Sequence, residues 1–323
     1  AARVLAEAMP YLREYHGKVL VVRFGGRAMA EPALMNAFAR DVALLRLSGM
    51  KLIVVHGGGW RVDEQMRKMG LTPRREGGFR VTDAETMDRV LEAAGQARSR
   101  IEAMLSLGMS NSPMAGAYNR VSSGNYITAK PIGVVDGVDM MLTGEVRRID
   151  TQAIQQRLDD GDIVLISPLG YSPTGELFNL ALEEVAMQVS VRLKAHKLVF
   201  LMENDGVRNG RKRLLTDLST RDAEALLAAP GKLSPDVRHY LPCAIRACDN
   251  GVARAHLLSR HMDGALLLEF FTRDGVGTMV ASSPLAHLRS ATIDDVLGII
   301  SIIEPLEEQG VLVRRSRERL ETE

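Results

Sequence analysis

Two short stretches, 51–59 and 18–26, constrain this chain more than any other feature. In the first, Leu52, Ile53, Val54 and Val55 run without a polar interruption, and His56 then leads into Gly57, Gly58 and Gly59. Four consecutive apolar residues, three of them β-branched, fit a strand covered on both faces, as in buried parallel sheets. Positions 61–69 then have helical spacing. A strand that empties through glycines into a helix N-terminus presents backbone N–H groups and the positive end of the helix dipole to an anion. The second stretch repeats the arrangement with Val19, Leu20, Val21 and Val22, the exit Phe24, Gly25 and Gly26, and a helix from 32 to 48. One glycine turn says little, but two exits lying side by side would make a shared anion cradle.

The rest of the chain alternates in the same way. Strands are expected near 18–23, 51–56, 163–167, 197–202 and 264–267. Helices are expected near 33–48, 61–69, 83–106, 151–159, 181–194, 219–228 and 242–250. Such alternation marks an α/β layer architecture with a mainly parallel sheet. Between 108 and 149 it breaks, and short β runs at 119–122, 126–131 and 144–148 read as hairpins standing off the sheet, a lid or substrate platform. Residues 2–16 place Val4, Leu5, Ala8, Met9, Leu12 and Tyr15 at helical spacing, with Pro10 expected to kink the helix. This helix would pack either on its own body or on another subunit. Past His287 the character changes again: Thr292 and Asp295 mark a helix start, 293–303 is an apolar helix stopped by Pro305, and another helix begins at Ser316. A segment of this size cannot bury a core of its own and reads as the opening of a further domain.

Composition removes several function classes. The 323 residues, 46% hydrophobic and 25% charged, suffice for one large or two modest domains. With 41 Lys and Arg against 40 Asp and Glu, the net charge of +1 argues against nucleic acid or an anionic membrane as partner, and the basic run Arg314, Arg315, Arg317, Arg319 fits a solvated helix face. Cys243 and Cys248, five apart and expected on one helix, indicate neither a disulfide framework nor a metal cluster, and His239, His256, His261 and His287 lack metal-ligand spacing. No apolar run approaches the roughly 18 residues that span a membrane, and residues 1–16 lack the apolar core of a signal peptide. The expectation is a cytoplasmic protein with no metal site. His56 reads as a hydrogen-bonded turn residue rather than a base.

Several further motifs carry a resemblance. Phe79-Arg80-Val81-Thr82-Asp83, Gly144-Glu145-Val146, Phe178-Asn179-Leu180 and Leu266-Leu267-Leu268-Glu269-Phe270-Phe271-Thr272, followed by Gly275-Val276-Gly277-Thr278, join the two glycine exits. Together these resemble the amino-acid kinase fold, in particular N-acetylglutamate kinase and the kinase-like half of N-acetylglutamate synthase, over most of 18–285. The resemblance implies a three-layer αβα sandwich with a mainly parallel central sheet. Its two glycine exits (Gly25, Gly26, Gly57, Gly58) would cradle a transferring phosphate, and Arg80 and Asn179 would hold the carboxylates of acetylglutamate.

The sequence also departs from that family. Where its active kinases carry a lysine just ahead of the first glycines stands Arg23, and the second phosphate-clamping lysine aligns with Arg246. The acidic residue that orients those lysines becomes Glu183, the nucleotide-side Thr-Asp pair becomes Met202-Glu203, and Trp60 replaces a proline beside the cradle. Phosphoryl transfer depends on compact charges placed on the moving oxygens, and a planar guanidinium fork is not an ammonium. Two enzymatic readings stay open. One is a kinase using ATP and Mg, with Arg23 and Arg246 in the lysines' roles. The other is the regulatory domain of a synthase that transfers acetyl from acetyl-CoA to L-glutamate, with 286–323 opening a GNAT acetyltransferase domain. On that reading the acetyl-transfer residues lie beyond Glu323, and the chain by itself lacks the acetyl-CoA site. A third reading is a non-catalytic arginine-binding module.

The resemblance further implies an effector pocket for L-arginine. Glu269 would receive the guanidinium and Lys197 the carboxylate, Gly275 and Gly277 would admit the backbone, and Tyr15 would close the pocket from the N-terminal helix. In arginine-regulated relatives that helix, residues 1–17 here, interlaces subunits into a hexamer.

Overall fold

The structure is a computed structural model, and it describes residues 2–106, 119–229, 233–272, 275–283 and 296–310. In chain order the elements are α1 (Ala2–Tyr15), β1 (Val19–Phe24), α2 (Pro32–Leu47), β2 (Lys51–His56), α3 (Gly59–Lys68), β3 (Arg75–Glu76), β4 (Phe79–Arg80) and α4 (Ala84–Ser106). There follow β5 (Val121–Ser123), β6 (Ile127–Pro131), β7 (Val134–Val135), β8 (Val138–Asp139), β9 (Thr143–Ile149), α5 (Thr151–Asp159), β10 (Ile163–Ile166), β11 (Leu169–Tyr171) and β12 (Leu177–Leu180). The last group is α6 (Leu182–Arg192), β13 (Lys197–Met202), β14 (Asp217–Ser219), α7 (Thr220–Ala228), α8 (Pro235–Asp249), β15 (Arg254–Ser259), α9 (Ala265–Phe271), β16 (Thr278–Ala281) and α10 (Val296–Glu308). After Pro284 the chain divides into two compact units.

An eight-stranded sheet in the order β14-β16-β15-β13-β1-β2-β10-β5 organises the first unit, parallel except where β16 runs against β15. The apolar runs of β1 and β2 are explained by what covers them. Leu20, Val22, Phe24, Leu52 and Val54 join one core with residues of α1, α2, α4 and α9, while Val21, Ile53 and Val55 join another with residues of α5, α6 and α8. Both faces of each strand are therefore dry, which gives a three-layer αβα sandwich. Ile53 is fully buried between β1 and β10. Trimming one methylene in the Ile53→Val variant is expected to cost about 1 kcal/mol, read as a melting temperature lower by roughly 2 °C.

The structure corrects several expectations. Residues 264–267 are not a strand: Gly264 is left-handed (φ 72°), and the run that follows, all Ala and Leu with no β-branched residue before Glu269, is the start of α9. The strands beyond β13 are instead β15, β16 and, at the edge, β14, and β15 was hidden because 254–259 has no β-branched residue. The last large helix of this unit begins at Pro235, capped by Ser234, and Pro242 lies within it. Of the runs between 108 and 149, β5 belongs to the edge of the main sheet, while β6 and β9 close a small ring with β11 and β12. The short hairpins β3–β4 and β7–β8 are the parts that stand apart. The part of that stretch from 108 to 118 lies outside the described residues.

Helix α1 continues through Pro10, one lost hydrogen bond being insufficient to break it, and it packs on α9 of its own chain through Tyr15. Cys243 and Cys248 share α8, both buried as free thiols. In the second unit α10 runs through Pro305 to Glu308, so that proline does not stop it, and Gln309 N–H still reaches the Pro305 carbonyl at 3.2 Å. The expected helix start at Thr292 and the helix at Ser316 lie outside the described residues. Among the described residues no helix is long and apolar enough to cross a membrane.

Candidate functional site

The two glycine exits do lie side by side. Gly57 N–H donates to Phe24 O at 3.0 Å, and a Cβ on Gly25 would stand 3.4 Å from Gly57 Cα and 3.0 Å from a Leu182 methyl. The chains can come this close only where side chains are missing. Helix α3 starts at Gly59, so its dipole's positive end faces the same spot. Beside it opens a cavity of about 250 Å³ whose wall includes Arg23, Gly26, Gly57, Gly58, Trp60, Arg80, Asn179, Glu183 and His239.

The phase of β1 puts Arg23 on the side of Val21, toward α6 and α8. There the side chain is 7% exposed, its guanidinium lies 4.6 Å from the Tyr240 ring centroid, and Nη1 donates to Leu201 O at 3.4 Å. Its Nε has no hydrogen-bond partner among the described residues. Glu183, in the first turn of α6, pairs with His239 at 3.0 Å. Burial pushes the Glu183 carboxyl upward, but His239 and the charge of Arg23 outweigh it and hold it below the usual range. Across the cavity Arg80 is paired with Asp63 at 2.5 Å and donates to Gly59 O at 3.2 Å. Asn179 donates to Thr82 Oγ at 3.0 Å, and Thr143 Oγ, donating to the Arg80 carbonyl, ties the three strands together. Arg23, Arg80 and the glycine exits therefore bring hydrogen-bond donors for an anion into one hollow, with Asp63 on Arg80, an ionised Glu183 beside Arg23, and Asn179 as a neutral polar contact.

Arg246 is the predicted residue that the structure does not bring here. It stands on α8 outside the cavity wall, its guanidinium pairs with Glu184 rather than Glu183, and it borders a separate hollow of about 200 Å³ with Phe79, Gly144 and Gln188. His56, last in β2, is buried and shares a 2.8 Å hydrogen bond with Ser167. Burial, then the charge of Arg98, pushes it down to about 4, so it is neutral and part of the framework. Among the described residues no group of three His, Cys, Asp or Glu is placed to hold a metal ion.

A second polar cluster gathers Tyr15, Lys197, Glu269, Gly275 and Gly277. Lys197 opens β13 and is 1% exposed, its ammonium 4.9 Å from the Tyr15 ring and 5.0 Å from that of Phe270. Glu269, on α9, accepts from Val276 N–H at 2.7 Å and Gly277 N–H at 3.1 Å. Gly275 is left-handed (φ 61°), and a Cβ there would meet the Glu269 carboxylate at 2.7 Å.

The residue that links these groups is one whose sequence context was weighed above only for metal binding. His256 of β15 donates from Nδ1 to Glu269 at 2.6 Å, and its Nε2 faces the Lys197 ammonium at 3.2 Å. A carboxylate only accepts, so Nδ1 carries the proton and Nε2 accepts from lysine. Burial, and after it the charge of Lys197, pushes His256 down to about 4 and keeps the ring neutral. Burial raises the Glu269 carboxyl, but the hydrogen bond from His256 and the two backbone donors outweigh it, and the carboxyl stays ionised. Lys197 is pushed down to about 8 by burial and then by Arg254. The only sequence signal for His256 was its place two residues into a run that was not recognised as a strand.

The chain as a whole is similar to proteins already known. The model of the amino acid kinase family matches residues 18–259. The amino-acid acetyltransferase of Ectopseudomonas mendocina is 47% identical over 319 residues, which are 99% of this chain and 73% of that one. Its counterpart in Ralstonia nicotianae is 44% identical over 98% of this chain and 70% of its own. The N-acetylglutamate synthase of Neisseria gonorrhoeae, solved with coenzyme A and L-arginine, is 37% identical and superposes with a TM-score of 0.83 over 99% of this chain and 74% of that one. The same synthase with coenzyme A and N-acetyl-glutamate gives 0.80 at 38% identity, with 99% and 73% covered. A carbamate kinase from Giardia lamblia, 15% identical with a TM-score of 0.59 over 83% of this chain and 99% of its own, shares the fold alone. This chain therefore belongs to the amino-acid acetyltransferase family, the N-acetylglutamate synthases, and carries that family's amino-acid-kinase-like domain.

Proposed function

We propose that this kinase-like domain senses L-arginine on behalf of an enzyme that transfers acetyl from acetyl-CoA to L-glutamate. The observation that carries the proposal is the Lys197–His256–Glu269 cluster. An ammonium and a carboxylate, bridged by a neutral imidazole and roofed by Tyr15 and Phe270, are complementary to an amino acid with a cationic fork. Glu269 receives the guanidinium, which replaces backbone donors now on its oxygens, and Lys197 receives the ligand carboxylate. Gly275 and Gly277 let the ligand approach the main chain. Because α1 and α9 both touch this cluster, a ligand there shifts α1, and α1 is the element that joins neighbouring subunits into a hexamer. The protein works in the cytoplasm, where acetyl-CoA and L-glutamate are its substrates. None of the described residues is assigned to acetyl transfer itself.

The cavity at the glycine exits is a degenerate kinase pocket: Arg80 and Asn179 keep their places, Arg23 stands for a lysine, and Arg246 is turned away. It is the site an N-acetylglutamate kinase would use with ATP and Mg. Calorimetry with L-arginine is expected to show one saturable site per chain, light scattering on the same sample to read the mass of six chains, and an assay of ADP release with N-acetylglutamate and MgATP to stay at background. Brisk ADP release, or no heat with arginine, refutes the proposal.

A further inference from the structure

In an open parallel sheet, ligands settle outside the carboxyl ends of the strands where the connections turn to opposite sides. Here that point is β1, flanked by β2 on one side and β13 on the other. The crevice has two halves. The half at β1 and β2 is the cavity described above. The other half, at the ends of β13 and β15, holds Glu203 and Arg260 and forms no part of that cavity's wall.

Arg260 fills this second half from within. Its side chain is 7% exposed, it pairs with Glu203, and Nη1 donates to the Gly25 carbonyl at 3.1 Å. Gly26 is left-handed (φ 78°), and a Cβ there would fall 2.5 Å from the same nitrogen, so the guanidinium lies directly against the glycine exit. Both ends of the clamp are anchored. Arg260 N–H donates to Met202 O at 2.9 Å, Glu203 N–H donates to Asp236 at 2.7 Å, and Glu203 also accepts from His261 Nε2 at 2.6 Å. A nucleoside polyphosphate, the second ligand that the amino acid kinase fold implies, does not fit these residues. Its phosphates would have to displace a buried, paired guanidinium, and they would meet the Glu203 carboxylate, which repels them.

We infer that Arg260 determines specificity: locked by Glu203, its guanidinium closes the half of the crevice beside Gly25 and Gly26 to nucleoside polyphosphates and leaves a compartment for one small ligand. This rests on the reading of the cavity as a degenerate kinase pocket and is independent of the arginine cluster. The test is calorimetry with MgADP and MgATP, at low ionic strength, on the native chain and on the Arg260→Ser and Arg260→Gln variants, each made together with Glu203→Gln so that no unpaired carboxylate is left facing the phosphates. The native chain is expected to bind either nucleotide more weakly than about 1 mM and both variants at least about tenfold more tightly. The second variant keeps the measurement available if the first does not fold. Native binding as tight as that of the variants, or variants that gain nothing, overturns the inference. L-arginine titrated into the same samples is a separate readout: its loss in the native chain would count against arginine sensing and leave the Arg260 result standing.

Discussion

Replacing Glu269 with alanine is expected to lower the affinity for L-arginine at least about 100-fold, or about 2.7 kcal/mol. A charge-assisted, forked hydrogen bond to a guanidinium in a buried site is worth this much because no water can substitute for the missing carboxylate. Glu269 also holds Val276 and Gly277 in place and accepts from His256, so the alanine variant loses packing as well as charge. Glu269→Gln separates the two effects. An amide oxygen still accepts from those backbone N–H groups while the amide NH2 meets the Nδ1–H of His256, so the variant keeps its packing and should melt between the native protein and the alanine variant, and without the negative charge its arginine affinity should fall nearly as far. Calorimetry on both variants decides the matter: native affinity in the glutamine variant removes the guanidinium contact from Glu269.

How much of this was legible in the sequence follows from which signals are local. The strands β1 and β2 and their glycine exits were readable because an uninterrupted β-branched run and a following glycine cluster each encode their own backbone. Strand β15 was not, since Arg254-Ala255-His256-Leu257-Leu258-Ser259 is held extended by β13 and β16 on either side and shows no strand preference of its own. His256 was lost with it. That Tyr15, Lys197 and Glu269 meet was anticipated only through resemblance, because they lie on three elements far apart in the chain and no spacing rule links them. Arg246 shows the limit of alignment without geometry. One helical step separates a side chain aimed at the cavity from one aimed at Glu184, and α8 takes the second. The clamp on the Arg260 side was equally invisible: Glu203 looked like a substituted nucleotide contact, and only the sheet order sets it opposite Arg260.

Lys197 makes two measurements move in opposite directions across one pH window. Its ammonium, buried and next to Arg254, loses its proton at about 8 in the folded chain against an ordinary lysine value of 10.5. Between those values the unfolded chain binds the extra proton, so folding stability rises with pH from about 8 to 10.5, by up to about 3 kcal/mol in the limit of a fully populated shift. Below 8 both states are protonated and the contribution is flat. Arginine affinity runs the other way. If Lys197 receives the ligand carboxylate as proposed, the ammonium must be charged, so binding above pH 8 requires proton uptake and the affinity is expected to fall by up to about tenfold per pH unit. Free arginine also titrates in this range, through its α-amino group, which is why the comparison is made with Lys197→Met. That variant is expected to bind arginine weakly at every pH and to lose the rise in stability between 8 and 10.5. Thermal melts and calorimetry from pH 7 to 10 on the two proteins read both slopes. Parallel slopes in native and variant would mean that Lys197 carries no buried charge and faces no ligand.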